Sequence, residues 1–99
     1  MSTYMVYALI DQRMTAIRYV GMTNDLVARY SAHITNREVN REKNLWIDEM
    51  RAVGMIPYCR TLEVCEDERE ARDAERKWIE AFREVGEPLF NVEATGRQR

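Results

Sequence analysis

Glu75 is a carboxylate in a segment whose pattern predicts an apolar helix face. The apolar residues around it recur at helical intervals of three and four: Ala71, Ala74, Trp78, Ile79 and Phe82. An ionised carboxylate against a core costs on the order of several kcal/mol unless a positive charge compensates it. Glu75 is therefore expected to be neutral and strained, paired with a cationic side chain, or the ligand of a metal cation.

Arg29 and His33 form a second candidate group. They are four residues apart and share one face of a predicted helix. This helix follows the second predicted strand after a short turn, so both side chains are expected near that strand. An Arg and a His at this spacing are also common as solvated surface residues, so the pair by itself does not define a site.

Two tyrosines lie on strands that the sequence predicts to pair as a hairpin. Pairing residue 10 with residue 16 puts Tyr7 directly opposite Tyr19, and directly opposed residues point to the same face of a sheet. In this register Gly21 faces Met5, and a strand glycine often marks the close approach of another group. We therefore expect one pocket to contain Tyr7, Tyr19, Arg29 and His33, although strand tyrosines are also ordinary packing residues.

The pattern along the chain predicts an α+β fold: a small three-stranded antiparallel sheet with an N-terminal hairpin, flanked by about three helices. Strands are predicted over residues 4–10, 16–22 and 58–64, and residues 11–15 form the hairpin loop. The helices are predicted to run from a Thr23 or Asn24 cap to about Ile34, over 42–53, and from Glu66-Asp67 to about Val85. Residues 35–41 are predicted to be a loop and Arg97-Gln98-Arg99 a frayed end.

Composition indicates one soluble domain, residues 1–99, with a core over about 3–92. The chain has 99 residues, is 45% apolar, and contains no run long enough to span a bilayer. We see no signal peptide. Cys59 and Cys65 are too far apart along one predicted strand to form a disulfide, so a reduced, cytoplasmic chain is expected. With only these cysteines and one histidine, a structural zinc site is not expected.

The net charge of −2 is unevenly distributed. Residues 1–62 carry eight Arg or Lys against six Asp or Glu, whereas residues 63–87 carry five against ten. A polyanion would therefore meet the first part of the chain and avoid most of the third helix.

Taken together, these residues and their order resemble the GIY-YIG nuclease superfamily over essentially the full chain, in particular its small stand-alone members. The first motif appears as Met5-Val6-Tyr7 and the second as Tyr19-Val20-Gly21. Arg29, followed by His33, is similar to the arginine and histidine of the family's first helix. Met5 stands where the family has its first motif glycine.

Two further motifs extend the resemblance to the C-terminal half. Glu75 is similar to the family's metal-binding glutamate, and Asn91, in Pro88-Leu-Phe-Asn91, to its closing asparagine. The middle segment, from Lys43 through Trp46 and Gly54 to Pro57, is also similar to small members, including phage-type ones.

The resemblance implies a metal-dependent endonuclease that hydrolyses DNA phosphodiester bonds, by nicking or by structure-directed cleavage. Tyr7 would help to activate the attacking water, with His33 or Tyr19 as relay, and Arg29 would stabilise charge on the phosphoryl oxygens. A single Mg²⁺ or Mn²⁺ ion would be held by Glu75, and Asn91 would orient Glu75 or close the pocket.

Two other functions remain open at this point. A catalytically inactive nuclease-fold module would bind nucleic acid or protein without cleaving it, and Met5 and the acidic balance favour that interpretation. A purely structural or interaction domain would bind neither metal nor nucleic acid. DNA is the expected partner and no membrane is expected. A homodimer could cut both strands, but the sequence leaves the oligomeric state open.

Overall fold

The computed structural model describes residues 3–35 and 39–91 and confirms the predicted α+β fold. Its elements are strands β1 (Tyr4–Asp11), β2 (Ala16–Thr23) and β3 (Tyr58–Cys65), and helices α1 (Leu26–Thr35), α2 (Arg41–Ala52) and α3 (Glu68–Glu84). The strands form one antiparallel sheet in the order β2-β1-β3. The middle of the predicted 35–41 loop and the predicted frayed end lie outside the described residues. None of the helices in the described part of the chain is long and apolar enough to cross a membrane.

The register of the N-terminal hairpin differs from the predicted one. Asp11 pairs with Ala16 and Ile10 with Ile17, but the next pair is Leu9 with Tyr19, so β2 contains one extra residue, Arg18. This bulge reverses the alternation of β2 side chains relative to β1. As a result Tyr7 pairs with Gly21 instead of Tyr19, and Met5 pairs with Thr23 instead of Gly21.

Tyr7 and Tyr19 nevertheless point to the same face of the sheet, as predicted. Tyr7 and Leu9 share a face because they are two residues apart on β1. Tyr19 is the cross-strand partner of Leu9 and therefore also points to that face. Without the bulge, the register at the turn would place Tyr7 opposite Val20, and Tyr19 would point to the other side of the sheet. The bulge at Arg18 therefore brings the two phenols together.

The sheet separates two apolar clusters. The first contains Val6, Val20, Cys65, Ala71, Ala74 and Ile79 and joins the sheet to α3. The second contains Tyr7, Leu9, Trp46, Ile47 and Met50 and joins the sheet to α2, with Leu26, Tyr30 and Ile34 of α1 packed against it. Val27 and Val53 are exposed, although helical spacing predicts inward positions for them, seven residues before Ile34 and three after Met50.

A second bulge, in β3, places the two cysteines on opposite faces of the sheet. Val6 pairs with Glu63 and Tyr7 with Thr61, so Leu62 is the extra residue. Cys59 therefore packs on the α1–α2 side of the sheet and Cys65 on the α3 side, although their spacing in a regular strand would place them on the same face. Both are free thiols, as expected from their separation.

The helix ends follow from local capping. The cap of α1 is Asp25 and not Thr23 or Asn24 as predicted, since the Asp25 side chain accepts a hydrogen bond from the Ala28 amide at 3.1 Å. Asn40 caps α2 by accepting from the Lys43 amide, and Asp67 caps α3 by accepting from the Glu70 amide. Gly86, at φ 90°, follows the end of α3 in the left-handed conformation that favours glycine.

Buried Asp11 connects the hairpin to α2. Its carboxylate accepts two hydrogen bonds from the Arg13 side chain, at 2.8 and 3.0 Å, and one from Trp46 Nε1 at 2.8 Å. These contacts, led by those of Arg13, lower the pKa of Asp11 to about 2. The hydrogen bond from Trp46 therefore fixes the bulged hairpin to the helix that supplies much of the second cluster, whereas the ion pair with Arg13 lies within the hairpin.

Candidate active site

Tyr7 lies at the centre of the second cluster and is buried. Its hydroxyl oxygen is 2.6 Å from Nε2 of His33. The ring lies over Gly21, where a Cβ atom would be only 2.5 Å from the Tyr7 oxygen and 2.6 Å from Cζ. The predicted close approach at Gly21 is therefore present, and the approaching group is Tyr7 itself. Any other residue at position 21 would displace the phenol.

His33 is held in the last turn of α1 with both ring nitrogens in contact with neighbours. Nε2 meets the Tyr7 hydroxyl, and Nδ1 lies 2.7 Å from Nζ of Lys43 on α2. The Tyr19 ring meets the imidazole edge-on, with centroids 5.2 Å apart. The predicted surface alternative for His33 is wrong, since only 2% of the residue is exposed.

Lys43, which was not predicted as a site residue, is 1% exposed and part of this constellation. Its ammonium nitrogen also lies 5.1 Å from the centroid of the Tyr19 ring. The signal was present in the sequence: Trp46, Ile47 and Met50 follow Lys43 by three, four and seven residues, so Lys43 belongs to the apolar face of α2. Like Glu75, this lysine is a charged residue on an apolar helix face, where an uncompensated charge is costly.

Arg29 lies one turn before His33 on α1 and donates a hydrogen bond to the Tyr7 hydroxyl. Burial raises the pKa of Tyr7, and the neighbouring Tyr19 raises it further because two adjacent phenolates would repel each other. The hydrogen bond and the charge of Arg29 act in the opposite direction and lower that pKa. Arg29 thus supplies the positive charge that a Tyr7 phenolate would need.

Glu75 lies on α3, which packs on the opposite face of the sheet from Tyr7, and it is half-buried. Burial raises the pKa of its carboxyl group, while the charges of Arg72, Arg29 and Arg76 lower it. Arg29 therefore acts electrostatically on both Tyr7 and Glu75. The positive charges of these arginines compensate part of the cost of burying the ionised carboxylate. The remaining desolvation cost would be reduced by a bound metal cation.

Asn91 lies at the outer edge of β2. Its side-chain amide accepts a hydrogen bond from the Val20 amide at 2.9 Å and donates one to the Val20 carbonyl at 2.7 Å. This pair of bonds fastens the C-terminal segment to the strand between Tyr19 and Gly21. The contact with Val20 was not predicted. It gives Asn91 a direct effect on the strand that carries the second tyrosine.

The donor set fits one hard cation shared with a substrate. Within residues 3–35 and 39–91, no three His, Cys, Asp or Glu side chains come together as a metal-binding group. A single partly desolvated carboxylate matches the way Mg²⁺ is often bound, through one protein oxygen, substrate phosphate and several waters. Together with a phenol that accepts from a guanidinium, such a site is suited to phosphoryl chemistry.

The family model for the GIY-YIG catalytic domain matches residues 3–88, nearly the whole chain. No curated protein and no solved structure matched the chain. The match includes both strands of the hairpin, α1 with Arg29 and His33, and α3 with Glu75. The resemblance inferred from the motifs is thereby confirmed, and the chain belongs to the GIY-YIG nuclease family.

Proposed function

We propose that the protein is a metal-dependent endonuclease that hydrolyses DNA phosphodiester bonds. The observation that carries this proposal is the buried Tyr7 hydroxyl, which contacts His33 at 2.6 Å and accepts a hydrogen bond from Arg29, while Arg29 also acts on the Glu75 carboxylate. The Tyr7 ring packs in the second cluster, but that packing does not require its hydroxyl to accept from a guanidinium that also acts on a carboxylate. The phenol, the guanidinium and the carboxylate match the needs of water activation, charge stabilisation and cation binding.

Tyr7 is the proposed general base. Its phenolate takes a proton from the attacking water, the water oxygen bonds to phosphorus, and the bond from phosphorus to the leaving oxygen breaks. A buried phenol is a poor base at neutral pH because its proton is held too tightly. Arg29 and the contact with His33 are therefore essential, since donors to the oxygen stabilise the phenolate.

Arg29 has a second proposed role on the substrate. A guanidinium presents several donors in a planar fork, which suits two phosphoryl oxygens at once. Negative charge accumulates on these oxygens in the transition state, and a fixed donor in a partly desolvated site stabilises that charge. Tyr19, packed edge-on against His33, is proposed to hold the imidazole in place. Asn91 is proposed to hold β2, and hence Tyr19, through its bonds to Val20.

Glu75 is the proposed ligand of the cation, Mg²⁺ or Mn²⁺. Nucleases of this family generally depend on a divalent metal, and Glu75 is a partly desolvated carboxylate near an arginine of the site. When bound, the cation would polarise the scissile phosphate and assist the departure of the leaving oxygen. Since Glu75 is the single candidate carboxylate of the site in the described part of the chain, we propose a single ion rather than a two-metal site.

DNA is the proposed substrate, and nicking or structure-directed cleavage the proposed mode. A domain of 99 residues contacts few phosphates, so binding should be weak and should fall steeply with salt. The acidic exposed face of α3 directs a polyanion to the α1 side of the site, where Arg29 lies. Recognition of a long sequence by a monomer would require a reading element that the six described elements do not include.

The test is cleavage of supercoiled plasmid, branched DNA and single-stranded DNA in the presence of Mg²⁺, Mn²⁺ or EDTA. Glu75→Ala should abolish cleavage while DNA binding and the circular dichroism spectrum are kept. Glu80→Ala is the matched control, because Glu80 is an exposed carboxylate on the same helix. Cleavage by Glu75→Ala at the wild-type rate, with contaminating nucleases excluded, would remove the proposal. Binding of DNA by the wild type without cleavage under any condition would support the inactive binding module.

A further inference from the structure

Lys43 is a buried, charged side chain in contact with His33, and the proposed reaction gives it no role. Its side chain is 1% exposed, and its Nζ atom contacts Nδ1 of His33 at 2.7 Å. Burying a lysine is costly, so a lysine at this position calls for a specific reason. The contact with His33 provides one, because the other ring nitrogen of the same imidazole meets the Tyr7 hydroxyl.

The donors and acceptors of Lys43, His33 and Tyr7 restrict where the imidazole proton of His33 can lie. A lysine ammonium has three donors and no acceptor, so a contact with Nδ1 requires that nitrogen to be the acceptor. A neutral imidazole that accepts at Nδ1 carries its proton on Nε2. It then donates to the Tyr7 oxygen rather than accepting the proton of Tyr7. The Tyr19 ring, 5.1 Å from Nζ, favours the cationic form of the lysine by a cation–π interaction.

We propose that Lys43 is a positioning residue that fixes the tautomer of His33 and so makes the imidazole a hydrogen-bond donor to Tyr7. This inference rests on the proposed function and deepens it. Tyr7 then accepts from two donors, Arg29 and His33, both of which favour its phenolate. His33 is not a proton relay in this arrangement: the proton taken from the attacking water stays on the Tyr7 oxygen until solvent removes it.

The tautomer can be measured without DNA or metal. His33 is the only histidine of the chain, so the imidazole signals in a long-range ¹H–¹⁵N correlation spectrum need no assignment. At neutral pH we expect the wild type to show a protonated Nε2 and an unprotonated Nδ1. A protonated Nδ1, alone or together with Nε2, would overturn the proposal.

Variants at Lys43 test whether the lysine causes this state. Lys43→Met keeps the length and apolar body of the side chain without its charge. In this variant the ¹⁵N chemical shifts of His33 Nδ1 and Nε2 should both move toward the average of the two tautomers. Lys43→Arg, which keeps a cationic donor, should retain the wild-type pattern. Lys77→Met is the matched control, since Lys77 is the only other lysine and is exposed. A wild-type spectrum for Lys43→Met would overturn the proposal. If that variant does not fold, loss of the wild-type pattern in Lys43→Arg, or a protonated Nδ1 in the wild type, would still overturn it.

Cleavage rates connect the tautomer to the reaction. At neutral pH, Lys43→Met should lower the rate about 10- to 100-fold, as is usual for partners that orient a functional histidine. The deficit should shrink as pH rises, because a less stabilised phenolate forms at higher pH. A loss that is equal at every pH, or no loss, would overturn the proposal while the nuclease assignment stands. If the wild type cleaves nothing, the proposed function and the catalytic part of this inference both fail, and the spectrum alone decides the tautomer.

Discussion

Gly21→Ala is expected to disable the site by moving a side chain on the neighbouring strand. The Cβ atom of an alanine at this position would lie 2.5 Å from the Tyr7 oxygen and 2.6 Å from Cζ, whereas ordinary van der Waals contacts are 3.4–4 Å. The closest atoms belong to the tip of a ring that the second cluster surrounds. The clash is therefore relieved mainly by withdrawal of the Tyr7 ring.

The size of the effect follows from these distances. Relieving the clash requires the Tyr7 oxygen to move by about 1 Å, which can take its 2.6 Å contact with His33 Nε2 beyond hydrogen-bond range. A misplacement of about 1 Å at a reacting group can cost about 100-fold in rate. Over-packing also destabilises cores by about 1–3 kcal/mol, so the thermal unfolding midpoint should fall as well.

The assay is nicking of supercoiled plasmid under single-turnover conditions at a temperature well below the unfolding midpoint. Gly54→Ala is the control, because Gly54 has φ 78° and a Cβ atom added to it would meet no other atom within 4 Å. Alanine there costs about 1 kcal/mol through backbone strain alone, or about 4–8 °C in the midpoint. The control should therefore lose stability and keep its rate, whereas Gly21→Ala should lose its rate even where it is fully folded.

A double mutant tests whether the loss passes through Tyr7. Tyr7→Phe removes the proposed base, so adding Gly21→Ala to it should slow cleavage little further, since the two changes act on one group. Cleavage by folded Gly21→Ala at the wild-type rate would refute the reasoning. Fully multiplicative losses in the double mutant would show that Gly21 acts on another part of the site.

Three further outcomes are expected. Glu75→Gln should lower the cleavage rate at least about 100-fold, because the proposed cation loses its ligand. The unfolding midpoint should not fall, since burial raises the pKa of Glu75 and its ionised form therefore costs stability at neutral pH; a clear loss of stability would contradict this. Arg29→Lys should lower the rate about 100- to 1000-fold with the fold kept, since an ammonium does not replace the planar fork; the single-turnover rate checks it. Asp11→Asn should lose about 2 kcal/mol in urea unfolding at pH 7. Because the pKa of Asp11 is lowered in the folded protein, its ionised form stabilises the fold fully above its ordinary pKa, and this stabilisation is lost as pH falls toward 2. The free energies of unfolding of the variant and the wild type should therefore converge near pH 2.

The fold could be predicted because its signals are local. Hydrophobic periods identified every strand and helix, and Asn40, Asp67 and Gly86 lie where caps and stops belong. The errors are also local in origin. Asp25 proved to be a cap because its carboxylate bonds the Ala28 amide, and Val27 and Val53 lie beyond the edges of their buried helix faces.

The site was predicted unevenly. His33 and Tyr7 were placed in one pocket and do meet, and Arg29 acts on both Tyr7 and Glu75. The partner of the second imidazole nitrogen, Lys43, was not predicted. Its place on the apolar face of α2 marked it as buried, but the identity of its neighbour depends on how α2 packs against α1, which no local pattern specifies.

By itself, the sequence determined which residues could do chemistry and which elements carry them, because residue type, spacing and helical or strand period are properties of short segments. The tertiary structure decided which of these residues touch. One extra residue in β2, Arg18, turns Tyr19 to the same face as Tyr7, and one in β3, Leu62, places Cys59 and Cys65 on opposite faces of the sheet. A bulge is a property of how two strands pair, so the hydrophobic period of one strand by itself does not give its position.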